Sequence, residues 1–149
     1  MNEDTALSKA AARDQGELHQ IAAMPVRAGA GGLEVCLVTT RETRRWTIPK
    51  GWPMKGKKDH AAAAQEAWEE AGVLGRIGKK PLGRYEYGKV LTDTTVRCSV
   101  AVYPLFVELT DGAWPEFGQR RRRWYPPETA AELVDEAKLA KLIAGFKPK

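Results

Sequence analysis

The chain has 149 residues, 43% of them hydrophobic, a one-domain length able to bury a single substantial core. Its 24 Lys and Arg against 19 Asp and Glu leave a formal charge of +5, which points to an anionic partner: a phosphorylated metabolite, nucleic acid or an acidic membrane surface. Two cysteines make no disulfide framework, no apolar run approaches the roughly 20 residues that cross a bilayer, and the N-terminus lacks an apolar secretory segment. Membrane-spanning and disulfide-stapled classes are therefore set aside, and a cytoplasmic protein is expected.

Residues 1–16 are polar with no convincing buried face and read as a mobile leader, leaving residues 17–149 as one domain. Residues 18–26 and 33–39 are strand candidates joined by a glycine turn at 28–32, and residues 46–48 form a brief strand. Residues 76–87 read as extended, broken at Gly78 and Pro81. The clearest strand is 95–107, with Val96, Cys98, Val100 and Val102 on one face and Arg97, Ser99, Ala101 and Tyr103 on the other. Residues 110–118 are rich in turn formers. Residues 120–124 read as a strand whose arginines alternate between faces, with Trp124 as a sheet-packing residue. Pro127 opens a helix to about residue 135, and residues 137–146 have the spacing of a last helix. Cys36 and Cys98 sit in apolar strands and read as reduced core thiols. Several strands with a central and a C-terminal helix imply a mixed sheet covered on both faces.

Between residues 46–48 and 76–87 lies the stretch that carries chemistry, Gly51 to Val73. Pro49, Gly51, Pro53 and Gly56 break any regular element, and Lys50, Lys55, Lys57 and Lys58 make the loop cationic. Asp59 is placed to cap the helix that the alanine run then supports, and Gly72 to end it. At about 100° per residue, Glu66, Glu69 and Glu70 share one face, while Ala64, Ala67, Trp68 and Ala71 share the other, so the acidic face is expected to stay open. Three like charges on a helix face cost about 0.2–0.5 kcal/mol per pair unless something neutralises them. A hard divalent cation does so, since Mg²⁺ takes one or two carboxylates plus water and phosphate oxygens.

This stretch resembles the Nudix box, G-x5-E-x7-R-E-U-x-E-E-x-G-U with U apolar. Gly51, Glu66, Glu69, Glu70, Gly72 and Val73 stand at box positions; Lys57 replaces the first glutamate, Gln65 the arginine and Ala67 the first bulky residue. The resemblance runs over about residues 18–143. I-P-K-G-W-P-M-K-G-K, E-A-G-V-L-G-R-I-G and R-R-R-R-W-Y-P-P-E-T-A are similar to bacterial relatives of the diphosphoinositol polyphosphate and diadenosine polyphosphate hydrolases. It implies the Nudix α/β fold, an α/β/α sandwich with a mixed β-sheet, and a Mg²⁺-dependent cleavage of a phosphoanhydride bond, with Mn²⁺ as a substitute. Glu66 and Glu70 would ligate the metal, Glu69 would ligate it directly or through water, and a carbonyl of Lys50 or Gly51 would complete the shell. In the family the missing glutamate and arginine brace the loop, so its rigidity here is an open question.

The general base varies within the family, and Glu69, Glu86 and Glu116 are the candidates here. For the phosphates, Arg41, Arg45, Lys50 and one of Arg121 or Arg122 are the expected contacts, since a guanidinium grips phosphate bidentately. Trp52 is the ring placed to stack a base. A small polyphosphate is the leading partner and no membrane is expected. Two alternatives remain: a degenerate Nudix domain that binds nucleotide or RNA without hydrolysis, and an RNA 5′-end pyrophosphohydrolase, for which four arginines beside Trp124 would pair phosphates and stack a base.

Overall fold

A computed structural model describes Leu7, residues 16–92 and residues 94–148. Residues 1–6 and 8–15, most of the expected leader, lie outside the described residues; Leu7 packs against the core. The strands are β1 (Glu17–Gly29), β2 (Gly32–Thr39), β3 (Trp46–Thr47), β4 (Lys50–Gly51), β5 (Val73–Ile77), β6 (Gly83–Val90), β7 (Thr95–Thr110) and β8 (Arg122–Tyr125). The helices are α1 (Asp59–Ala71), α2 (Pro127–Leu133) and α3 (Ala137–Ala144).

One mixed sheet contains all eight strands, with β3-β2-β1-β7-β5 as its main order, β4 added to β1, β6 to β7 and β8 to β2. The central pair, β1 with β7, is parallel from Glu17 opposite Arg97 to Val26 opposite Phe106, and the other pairings are antiparallel. β1 and β2 turn through Ala30 and Gly31, with Gly29 opposite Gly32, so the glycines serve a hairpin.

Alternation along the long strands sorts side chains into two cores. Leu18, Ala22, Met24 and Val26 of β1 join Val96, Cys98, Val100 and Val102 of β7 under Ala130 of α2 and Leu139 and Ile143 of α3. Ile21 and Ala23 join Ala101, Tyr103 and Leu105 on the opposite face, under Ala62, Ala63, Ala67 and Ala71 of α1. Helices therefore cover both faces of the sheet. Cys36 and Cys98 are buried on opposite faces, and burial pushes the Cys36 thiol up to about 12, which makes it an inert core group.

Some boundaries differ from the sequence reading. β1 extends from Glu17 to Gly29 because its partners continue to both ends. The extended 76–87 segment divides, so that β5 begins at Val73 directly after the helix and β6 begins at Gly83. The arginine strand begins at Arg122 and not at residue 120, and the two C-terminal helices stop at Leu133 and Ala144. Among the described residues no helix is long and apolar enough to cross a membrane.

Candidate functional site

The site begins with α1. Lys58 is the N-cap, with no side-chain cap bond, and Asp59 is the first helical residue, so Asp59 favours the helix through the partial positive charge of its N-terminus and not as the expected cap. At the other end Gly72 takes the left-handed conformation (φ 67°, ψ 32°), and a Cβ there would lie 2.6 Å from the Trp114 ring. The last helical carbonyls all find donors. Gly72 N–H donates to Trp68 O, Glu116 N–H to Glu69 O (2.9 Å), Trp114 Nε1 to Glu70 O (3.1 Å) and Arg122 Nη1 to Ala71 O (2.8 Å). The 111–122 segment thus clamps the helix end that presents the glutamates.

The face that packs on the sheet is Ala63, Ala67 and Ala71 with Ala62, whereas Ala64 and Trp68 are only half-buried. This rotation carries Glu70 inward to 4% exposure, so the acidic face is not open as expected. Burial raises the Glu70 pKa well above the carboxylate range, Arg120 pulls it back, and the neighbouring Glu66 adds to the rise. Glu66 is raised as well, first by burial, with its hydrogen bond to Glu70 acting against this and the Glu69 and Glu116 charges adding to it. The two carboxyls touch, and the backbone of Gly51 lies so close that a Cβ there would collide with the Glu66 carboxylate.

In front of these carboxyls opens a cavity of about 1130 Å³. Glu66, Glu69, Glu70 and Glu116 line one side with Arg120; Arg41, Arg45, Lys50 and Lys89 supply cations around it; Trp46, Trp52 and Tyr87 supply rings. Arg41 and Arg45 come from a loop closed on itself, with Thr40 N–H donating to Arg45 O (2.8 Å) and Arg45 N–H donating to Thr40 Oγ1 (3.0 Å). Arg41 donates to Gln119 Oε1, and Arg45 pairs with Asp135 at 3.1 Å. Lys50 sits over the Tyr87 ring, 5.2 Å from its centroid. Burial lowers its pKa, and Glu70 and Glu136 oppose the shift. Trp52 lines the cavity with Lys89 Nζ 5.7 Å from its ring centroid, and Trp46 meets Tyr125 edge-on.

Three of the candidate residues, Arg121, Arg122 and Glu86, do not line the cavity. Arg122 is committed to structure: it donates to Ala71 O and Asp111 O, both at 2.8 Å, and stacks on Trp114 with its guanidinium 4.2 Å from the ring centroid. Arg121 does not line the cavity and lies over Trp46. Glu86 also stands outside it, held by Lys138 (2.8 Å) and Arg97 (3.2 Å), which keep its carboxyl below the usual range. Arg120 takes the position foreseen for its neighbours, with Nε 2.8 Å from Glu116 and 3.9 Å from Glu70. The signal for it was the Glu116-x3-Arg120 spacing, a lone acid with a cation four residues on. Trp124 packs against the α1 side of the core, under Arg27.

Among the described residues no three His, Cys, Asp or Glu side chains converge as a closed metal cage. A hard cation that keeps its waters needs no such cage. Two neighbouring carboxyls, Glu70 buried and Glu66 half-buried, beside a backbone segment without a Cβ form an oxygen-rich, acidic edge that suits Mg²⁺.

Comparison with known proteins gives the family and the fold. A family model described as the NUDIX domain matches residues 17–146. Nudix hydrolase 12, mitochondrial, of Arabidopsis thaliana is 36% identical over 107 residues, covering 68% of this chain and 52% of its own length. Diphosphoinositol polyphosphate phosphohydrolase 3-beta of Bos taurus is 32% identical over 102 residues, covering 68% of this chain and 60% of its own. The chain thus spans little more than half the length of these relatives. The crystal structure of C. elegans Ap4A hydrolase superposes with a TM-score of 0.60 at 20% identity, covering 85% of this chain and 92% of that one.

Proposed function

The chain belongs to the Nudix family and has its fold, and from this premise we propose that it is a Mg²⁺-dependent pyrophosphohydrolase. Its substrate would be a small polyphosphorylated molecule, either a diadenosine polyphosphate or an inositol pyrophosphate. The observation that carries the reading is the pair of neighbouring carboxyls, buried Glu70 and half-buried Glu66, facing a cavity lined by Arg41, Arg45, Lys50 and Arg120. A relative named for diphosphoinositol polyphosphates and a structural neighbour named for Ap4A support the substrate classes.

In this reading Glu66 and Glu70 hold the cation with a loop carbonyl of Lys50 or Gly51. Mg²⁺, or Mn²⁺ in its place, would neutralise phosphate oxygens and make the attacking water more acidic. Arg41, Arg45, Lys50 and Arg120 bind and orient the phosphate chain, Arg120 in the role expected of Arg121 or Arg122. Glu69 lines the same cavity, with Oε2 engaged by Gln65, and takes the proton of the water as its oxygen bonds to phosphorus. The bridging P–O bond breaks and the electron pair leaves with the departing phosphate. Glu116 is tied to Arg120 and positions that guanidinium.

The test is a phosphate-release screen with Mg²⁺ against diadenosine polyphosphates, an inositol pyrophosphate, nucleoside triphosphates and capped RNA, with Glu70→Gln as the blank. Turnover of one class, reduced at least about a thousandfold in the variant, is expected from loss of a metal carboxylate. Silence across the panel with ligands still raising the melting temperature would replace the enzyme with a binding module.

A further inference from the structure

Two side chains that depart from the box pattern tie the loop to the helix. Lys57 Nζ donates to Gln65 Oε1, and Gln65 Nε2 donates to Glu69 Oε2 at 2.7 Å. An amide offers an acceptor on one side and a donor on the other, so meeting both demands fixes which way it faces. Lys57 is itself held. Its backbone N–H donates to Met54 O (3.0 Å) across a turn in which Gly56 has φ 78°, and the Met54 side chain packs against the core under α1.

Resting on the reading above, we infer that Lys57 and Gln65 are a positioning pair for Glu69, a loop–helix brace in which the cation has moved from the helix to the loop. The carboxylate is then oriented by a neutral amide, which fixes its direction without cancelling its charge. A guanidinium at position 65 would do both. The brace therefore answers the rigidity question raised by the two substitutions: the loop is tied, with the polarity of the tie reversed.

The polarity gives the test a sharp order. In Lys57→Glu the new carboxylate draws the amide nitrogen of Gln65 to itself and turns the amide oxygen toward Glu69. The expected loss in kcat is about tenfold or more at unchanged KM, the scale of one charged hydrogen bond. Gln65→Leu removes the link and falls by a similar factor. The double variant Lys57→Glu/Gln65→Arg recovers to within about threefold of the starting protein, because the new guanidinium donates to both carboxylates. Amide hydrogen exchange over residues 52–58 is read in parallel: faster in each single variant, protected again in the double.

Single variants within about twofold of the starting protein in both readouts, or a double variant that falls as far as Lys57→Glu alone, would overturn the brace. If the starting protein turns over no phosphoanhydride, the functional reading fails on that result alone. The exchange pattern then still decides whether the brace exists.

Discussion

At the scale of single residues, the burial of Glu70 sets a conflict between stability and chemistry. Its pKa and that of Glu66 are raised over the ordinary 4.5 chiefly by burial. Between that value and the folded pKa the native state holds protons that the unfolded chain has lost. The stabilisation is fully present below about pH 4.5 and is lost as pH rises through the folded pKa. This is the reverse of a salt-bridged carboxylate. Glu70→Gln cannot ionise, so in the absence of divalent ions the melting temperature of the starting protein should drop relative to the variant as pH climbs from about 4.5, then run parallel to it. Added Mg²⁺ should restore the starting protein most at high pH, where both carboxyls are deprotonated, and leave the variant nearly unmoved. Scanning fluorimetry with EDTA and with Mg²⁺ across pH 4–9 measures this. A melting temperature of the starting protein that holds or rises relative to the variant as pH climbs from about 4.5 would remove the assignment of Glu70 as a carboxyl raised by burial.

At the scale of elements, the arginine strand and the helix end explain each other. Arg122 joins Ala71 O at the C-terminus of α1 to Asp111 O of the 111–122 segment, and there a cation also meets the negative end of the helix. Arg122→Leu is predicted to cost about 2–3 kcal/mol by stranding two carbonyls, whereas exposed Arg123→Gln should change stability by about 0.5 kcal/mol or less. Urea denaturation of both proteins checks the order, and equal costs would show that the clamp is not a structural unit. The box was legible because its spacing alone brings Glu66, Glu69 and Glu70 onto one side of a helix. The burial of Glu70 was not, because a helical wheel gives relative angles and says nothing about where the sheet lies beneath it. Strand alternation likewise separated Arg122 from its neighbours in direction, yet only tertiary structure shows that its direction ends on the carbonyls of Ala71 and Asp111. Glu86 was misplaced for the same reason, since β6 turns it toward Lys138 of α3 and Arg97 of β7.

At the scale of the whole molecule, the 40–45 loop, β4, β6, α1 and the 111–122 segment converge on the cavity. A formal charge of +5 is spread over the whole chain, but placement decides its effect on a polyphosphate. Arg41 and Arg45 line the cavity, and exposed Lys79 and Lys80 lie on the loop between β5 and β6, outside it. Charges more than about 10 Å away are largely screened at 0.1 M salt, so remote lysines contribute little to binding at that ionic strength. KM for a polyphosphate substrate should therefore rise several-fold between about 50 and 300 mM NaCl at nearly constant kcat, as phosphate attraction is screened. Arg41→Gln/Arg45→Gln should raise KM at low salt and flatten this dependence. Lys79→Gln/Lys80→Gln removes the same formal charge and should leave both the KM and its slope in place. Steady-state kinetics of the three proteins across that salt range decide between local and global attraction, and equal flattening by the two double variants would assign capture of the substrate to net charge and not to the cavity rim.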